Sequence, residues 1–192
     1  MNKTELLYDH YKETFSIIKE TIIQRNRFFV MVFLVITLQF LFASSPDSVS
    51  HLIIGIIKKK YEIDISNQIS TIQSLLWLLL LYLTMRYYQS TIYIEKQYLY
   101  IHSIEEKISN LKHIKFNREG GNYLLNYPKM NDFIDFLYKW TFPTIYCLMI
   151  FYKIKNEIFS LKITLLLFLD VLLFLICFVL TILYMLFWHK EL

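Results

Sequence analysis

Apolar positions follow two rhythms along the chain. In some stretches they run almost unbroken, as in FFVMVFLVITLQFLFA at 28–43 and around SLLWLLLLYLTM after Ile69. Elsewhere they recur every three or four residues. A helix needs about 20 largely apolar residues to cross a hydrocarbon core of roughly 30 Å. The unbroken runs therefore predict four spans, at 28–43, 69–88, 133–152 and 161–188. The third is the most polar of them, with Asp135 and Lys139 in its first half and Pro143 near its middle, and the fourth is long enough to tilt.

The intermittent rhythm predicts amphipathic helices. Over residues 3–24, Leu7, Tyr11, Phe15, Ile18 and Ile22 share one face, opposite Glu5, Asp9, Lys12, Glu13, Lys19 and Glu20. Such a helix lies on the membrane interface, packs on a neighbouring helix or serves as a docking arm. HLIIGIIKKK (51–60) is too short to span and predicts an interfacial helix whose lysines reach the headgroups. KIKNEIFSLK (153–162) reads as a short external loop.

The two rhythms meet in MRYYQSTIYIEKQYLYIHSIEEKI (85–108), which follows the second apolar run with no Pro or Gly between them. Ile94, Ile101 and Ile108 stand seven apart, and Ile104 and Leu111 fill the intervening seam positions. This heptad pattern predicts a helical stalk over 89–114 that continues the second span beyond the bilayer. Isoleucine at both seam positions favours association of more than two strands. The seam has two possible partners: a sister subunit, or the N-terminal helix of the same chain. Gly120 and Gly121 supply the turn that ends the stalk.

Composition turns these patterns into a class. The 192 residues are 56% hydrophobic and 18% aromatic, with three Gly and three Pro. That balance fits a single all-α membrane domain over 1–192. Low Gly, Pro and Ala beside abundant Ile, Lys, Asn, Tyr and Phe points to an AT-rich genome and a bacterial inner membrane. With four spans, fourteen Lys and Arg residues fall on the side of the termini and stalk and six on the other. The positive-inside bias thus places both termini and the stalk in the cytoplasm. Some two dozen mixed-charge residues precede the first span, so a signal peptide is not expected. Cys147 and Cys177 both fall in spans and read as small buried hydrophobes.

Candidate chemistry is sparse. The five His are scattered, and there is no metal-ligand spacing, phosphate loop or nucleophile motif, so neither an enzyme nor a metal or other cofactor is expected. Asp170 is the one acidic residue deep in the fourth span, where a carboxylate must face protein or water. Gln39 lies at a similar depth and is expected to share a hydrogen bond with it. Gln73 and Thr84 add polar positions in the second span, and these four residues are the candidates for an ion pathway or gate, against the plainer role of interhelical contacts. A second group is cationic and aromatic: Arg86, Tyr87, Lys96, Lys112, His113, Lys115 and Arg118. Such residues bind phosphates and stack bases, or act as interfacial anchors.

In span order and in the RYYQSTIYIEKQYLYIHSIEEKI stalk, the chain resembles the small membrane effectors of bacterial antiphage systems. It looks most like the channel-forming effector of the Hailong system, with the membrane subunit of the Kiwa system a near competitor. The resemblance is architectural and covers nearly the whole chain. It implies a homotetrameric channel held closed by single-stranded DNA oligomers from a partner nucleotidyltransferase, and opened to depolarise an infected cell. The expected function is a gated homo-oligomeric ion channel with an anionic nucleotide or DNA-oligomer ligand at its cytoplasmic side. The alternative is a non-conducting membrane sensor or scaffold that recruits a cytoplasmic protein.

Overall fold

A computed structural model describes residues 3–112, 133, 136–160 and 165–187. Of these, 97% are helical and none is in a strand. The elements are α1 (Lys3–Ser44), α2 (Pro46–Tyr61), a 3-10 turn (Ser66–Gln68), α3 (Ile69–Lys112), a π turn (Leu137–Thr141), α4 (Phe142–Ser160) and α5 (Leu165–Phe187). Three of them, α1, α3 and α5, are long and apolar enough to cross a membrane. The described residues are those of an all-helical membrane protein. The turn expected at Gly120 and Gly121 lies outside the described residues.

Two expected boundaries move. The amphipathic segment 3–24 and the apolar run 28–43 are one helix, because nothing between Lys3 and Ser44 is Gly or Pro and Arg25 to Arg27 are compatible with helix. The expected external loop is also largely helical, since α4 carries Lys153 to Ser160 past the end of the apolar run. Pro143 has no N–H to offer the Lys139 carbonyl, which accounts for the widened turn just before it.

Helix α2 starts earlier than its apolar residues suggest. Pro46 occupies the first turn, where a missing N–H costs nothing, and the last turn carries Lys58, Lys59 and Lys60 against the negative end of the helix dipole. Glu62 then stops the helix in the left-handed region (φ 58°), its N–H bonded to the Lys58 carbonyl at 3.0 Å. Beyond it the Ser66 N–H donates to the Asp64 carboxylate at 3.0 Å. That bond, helped by the Ser66 hydroxyl and by Lys58, holds the Asp64 pKa below its ordinary value.

The chain divides into two compact units. The first joins residues 1–27 to 86–137. Its core is the seam of α3 closed by the apolar face of α1: Ile94, Ile101, Ile104 and Ile108 cluster with Tyr11 and Ile18, flanked by Leu7, Phe15, Ile22 and Tyr98. Each fully buried Ile contributes about 1.5–3 kcal/mol relative to exposure. Of the two partners the sequence leaves open for the seam, the chain supplies its own N-terminal segment.

The second unit joins 28–85 to 138–192 and holds the most apolar parts of α1, α3, α4 and α5. Helix α4 packs on α5. Phe151 stands edge-on to Phe174 and Phe178 at 4.9 and 5.0 Å, and Trp77 stands edge-on to Phe174 at 6.3 Å. Such ring pairs add about 0.5–1.5 kcal/mol beyond area burial. Around this apolar centre lies a set of polar side chains that must find partners.

Candidate functional site

Lys153 and Glu157 stand one turn apart on α4, a spacing that brings their charged ends together. The ammonium lies 2.7 Å from a carboxylate oxygen, and the two side chains are only 3% and 4% exposed. Two residues of α3 complete the arrangement. The Trp77 indole N–H donates to Glu157 at 3.2 Å, and the Lys153 ammonium donates to the Gln73 carbonyl oxygen at 3.4 Å. The Phe42 ring of α1 lies 5.9 Å from the ammonium. A buried pair loses hydration on both ions and is tolerated only when such added bonds satisfy the remaining lone pairs and protons.

One position from Gln73 on α3, the Ser74 hydroxyl donates to Asp170 of α5 at 3.0 Å. Lys153 and Glu157 lie within electrostatic reach of that carboxylate. Farther along α3, Thr84 shares a 3.0 Å hydrogen bond with the Tyr146 hydroxyl. Beside the ion pair a cavity of about 530 Å³ is lined by Lys153, Glu157, Gln73, Asn156, Asp47 and Phe159, among others. Its rim is tied by the Asn156 amide, which donates to the Ala43 carbonyl at 2.8 Å and so satisfies a carbonyl at the end of α1.

The structure gathers the expected pathway residues Asp170, Gln39, Gln73 and Thr84 into the second unit, but in separate contacts. The expected bond between Gln39 and Asp170 is absent. Asp170 takes Ser74 instead, and the Gln39 amide, 1% exposed, has no hydrogen-bond partner on either atom. The cause is reach: a serine on the adjacent helix meets the carboxylate first, whereas similar depth in two helices says nothing about facing.

The cationic and aromatic group does not assemble into one site among the described residues. Arg86 and Lys96 are exposed. Ten residues apart on α3, they are separated by about 15 Å along the axis and turned away from each other by about 80°. Tyr87 is buried and tilted against Tyr88 at 5.5 Å, so it offers no open ring face for a base. Lys112 ends α3. His113, Lys115 and Arg118 lie outside the described residues. At the seam, Leu111 differs from its four isoleucine companions, being 46% exposed.

The ion pair itself was not foreseen. Lys153 and Glu157 read as loop residues, although their i,i+4 spacing in KIKNEIFS was a visible signal for a helical pair. Ser74, Trp77, Asn156 and Tyr146 carried no signal, because a single polar atom in an apolar run does not reveal what it faces. Among the described residues, no group of three His, Cys, Asp or Glu stands ready to hold a metal ion. The chain matches no family model, no curated protein and no solved structure.

Proposed function

We propose that the chain is a gated ion-conducting membrane protein, a homo-oligomer of the bacterial inner membrane with four spans and cytoplasmic termini. The observation that carries this reading is the polar set of the second unit: buried Lys153, Glu157, Ser74 and Asp170 with half-buried Gln73, in a largely apolar bundle and beside a cavity. An ionisable group deep in a span, as Asp170 is, costs several kcal/mol unless paired or watered, and such groups mark pathways and relays more often than scaffolding. Helix α4 serves as the third span in chain order, beside α1, α3 and α5. Its 19 residues reach about 28 Å at 1.5 Å per residue, and two of its charges neutralise each other.

The unbroken α3 takes part in both units, which supports a lever that joins a cytoplasmic signal to the bundle. The resemblance to antiphage membrane effectors supplies the rest of the reading: tetrameric assembly, a DNA-oligomer or nucleotide ligand and membrane depolarisation as the outcome. Flux through liposomes loaded with purified protein tests it. Ion release that Asp170→Asn or Glu157→Gln alters is the expected result, and vesicles that stay tight with and without oligonucleotide overturn it.

A second reading, the non-conducting sensor or scaffold, is favoured by the first unit. Its seam is closed by the chain's own N-terminal segment, leaving exposed Glu106 and Lys107 on α3 for a partner. In that case charge reversal at Glu106 and Lys107 abolishes partner co-purification while conductance is absent throughout.

A further inference from the structure

The cavity in the second unit lies where helices begin and end. Phe42 and Ala43 belong to the last turn of α1, Asp47 to the first turn of α2, Ser70 to the first turn of α3 and Asn156 to the last turns of α4. The apolar stretches of α1 and α3 stop at this level, so in a bilayer the cavity meets lipid headgroups rather than tails. Its volume of about 530 Å³ falls in the range of small-molecule sites, roughly 300–1,000 Å³.

Its charges choose among headgroups. The only cation described in the lining, Lys153, is already neutralised by Glu157 at 2.7 Å. Asp47 is exposed at the α2 end and has no ion-pair partner among the described residues. Among the described residues a purely anionic headgroup therefore meets no spare positive charge and two carboxylates. A headgroup carrying both signs fits better. An ammonium has three donors, and Lys153 gives one to Gln73 while its charge is paired with Glu157. The Asn156 amide has two and spends one on Ala43. At least one N–H of each remains for a phosphate oxygen, with the Asp47 carboxylate to take a ligand ammonium. Phe159, 82% exposed, offers a ring to the first methylenes below the headgroup.

We propose that this cavity, between Asp47, Asn156 and the Lys153–Glu157 pair, binds a zwitterionic phosphoethanolamine group, taken from membrane phosphatidylethanolamine or from a free phosphoethanolamine. The site holds whether or not the protein conducts ions. Its selectivity is the reverse of a basic patch, which prefers anionic lipid.

Native mass spectrometry of the full chain tests this after equilibration with equimolar phosphatidylethanolamine and phosphatidylglycerol of identical acyl chains. Wild type is expected to retain the ethanolamine lipid over the glycerol lipid by roughly tenfold, the scale of one charge-assisted hydrogen bond. Asp47→Asn, an exposed change whose folding is checked by thermal unfolding, is expected to bring the ratio close to one. Thermal shift with free phosphoethanolamine then separates the sources. A shift with the free compound assigns a soluble ligand, a shift with lipid alone assigns the bilayer, and either supports the headgroup chemistry. Equal retention of the two lipids, a glycerol preference, or an ethanolamine preference that Asp47→Asn leaves unchanged overturns the proposal.

Discussion

The Lys153 ammonium lies 2.7 Å from the Glu157 carboxylate one turn farther along α4, and both side chains are all but sealed from solvent. Removing one partner of such a pair leaves an uncompensated buried charge, which costs about 3–5 kcal/mol, whereas replacing both with apolar residues of similar volume is often neutral. Lys153→Met alone is thus expected to lower the thermal unfolding temperature in detergent sharply. The double change Lys153→Met with Glu157→Leu is expected to recover most of the loss. The Trp77 indole N–H, left without its carboxylate, keeps the recovery incomplete. A single variant as stable as wild type would mean that water reaches the pair.

Ser74 and Gln39 make a contrasting couple. Ser74→Ala strips the Asp170 carboxylate of its donor and is expected to cost about 1–3 kcal/mol, since a buried acceptor is left unsatisfied. Gln39→Met removes an amide that has no hydrogen-bond partner and is expected to raise stability. Comparing the two by denaturation in the same detergent checks the assignment. If Gln39→Met destabilises while ion flux changes, the amide has a working partner, such as water in a pathway.

The helical class and the apolar runs were legible because burial in lipid leaves a long, simple signature: α1, α3 and α5 coincide with three of the runs. Of the seam pattern, Ile94, Ile101, Ile104 and Ile108 repeat at seam spacing and are all buried, whereas Leu111 is exposed. What the sequence hid was pairing. Nothing local distinguishes Ser74 from Gln39 as the neighbour of Asp170, because facing depends on how helices rotate about their axes. Nor does KIKNEIFS reveal by composition that two of its charges turn inward, since mutual neutralisation is a tertiary event. For the same reason Arg86, Tyr87 and Lys96, near neighbours in sequence, point to no shared site.

At the corner after α2, the Ser66 N–H and its hydroxyl stabilise the ionised form of Asp64, so its folded pKa sits below the ordinary 3.8. A depressed carboxylate pKa contributes stability that is fully present above the unfolded value and is lost as pH falls through the folded one. The corner is therefore expected to be insensitive to pH near neutrality and to loosen only below pH 3.8. Carboxyl NMR titration of Asp64 gives the midpoint directly. In Ser66→Pro, which has no N–H to donate, that midpoint is expected to rise towards the ordinary value, and an unchanged midpoint would remove the backbone bond as the cause.

The partner of the isoleucine seam decides whether α3 is braced within one chain or between chains. Ile101 is fully buried against the cluster that contains Tyr11 and Ile18, so Ile101→Asp with Ile108→Asp places carboxylates in an apolar contact and separates the two segments. If the contact is internal, the particle mass by light scattering stays unchanged, while residues 3–24 become a preferred protease site. Ile18→Asp is expected to reproduce this pattern from the other side of the contact. Leu111→Asp, at an exposed position, is expected to change stability by no more than about 0.5 kcal/mol. A fall in mass with Ile101→Asp and Ile108→Asp, but not with Ile18→Asp, would show that a second copy takes the seam in the membrane. The N-terminal segment would then be a removable cover of the seam.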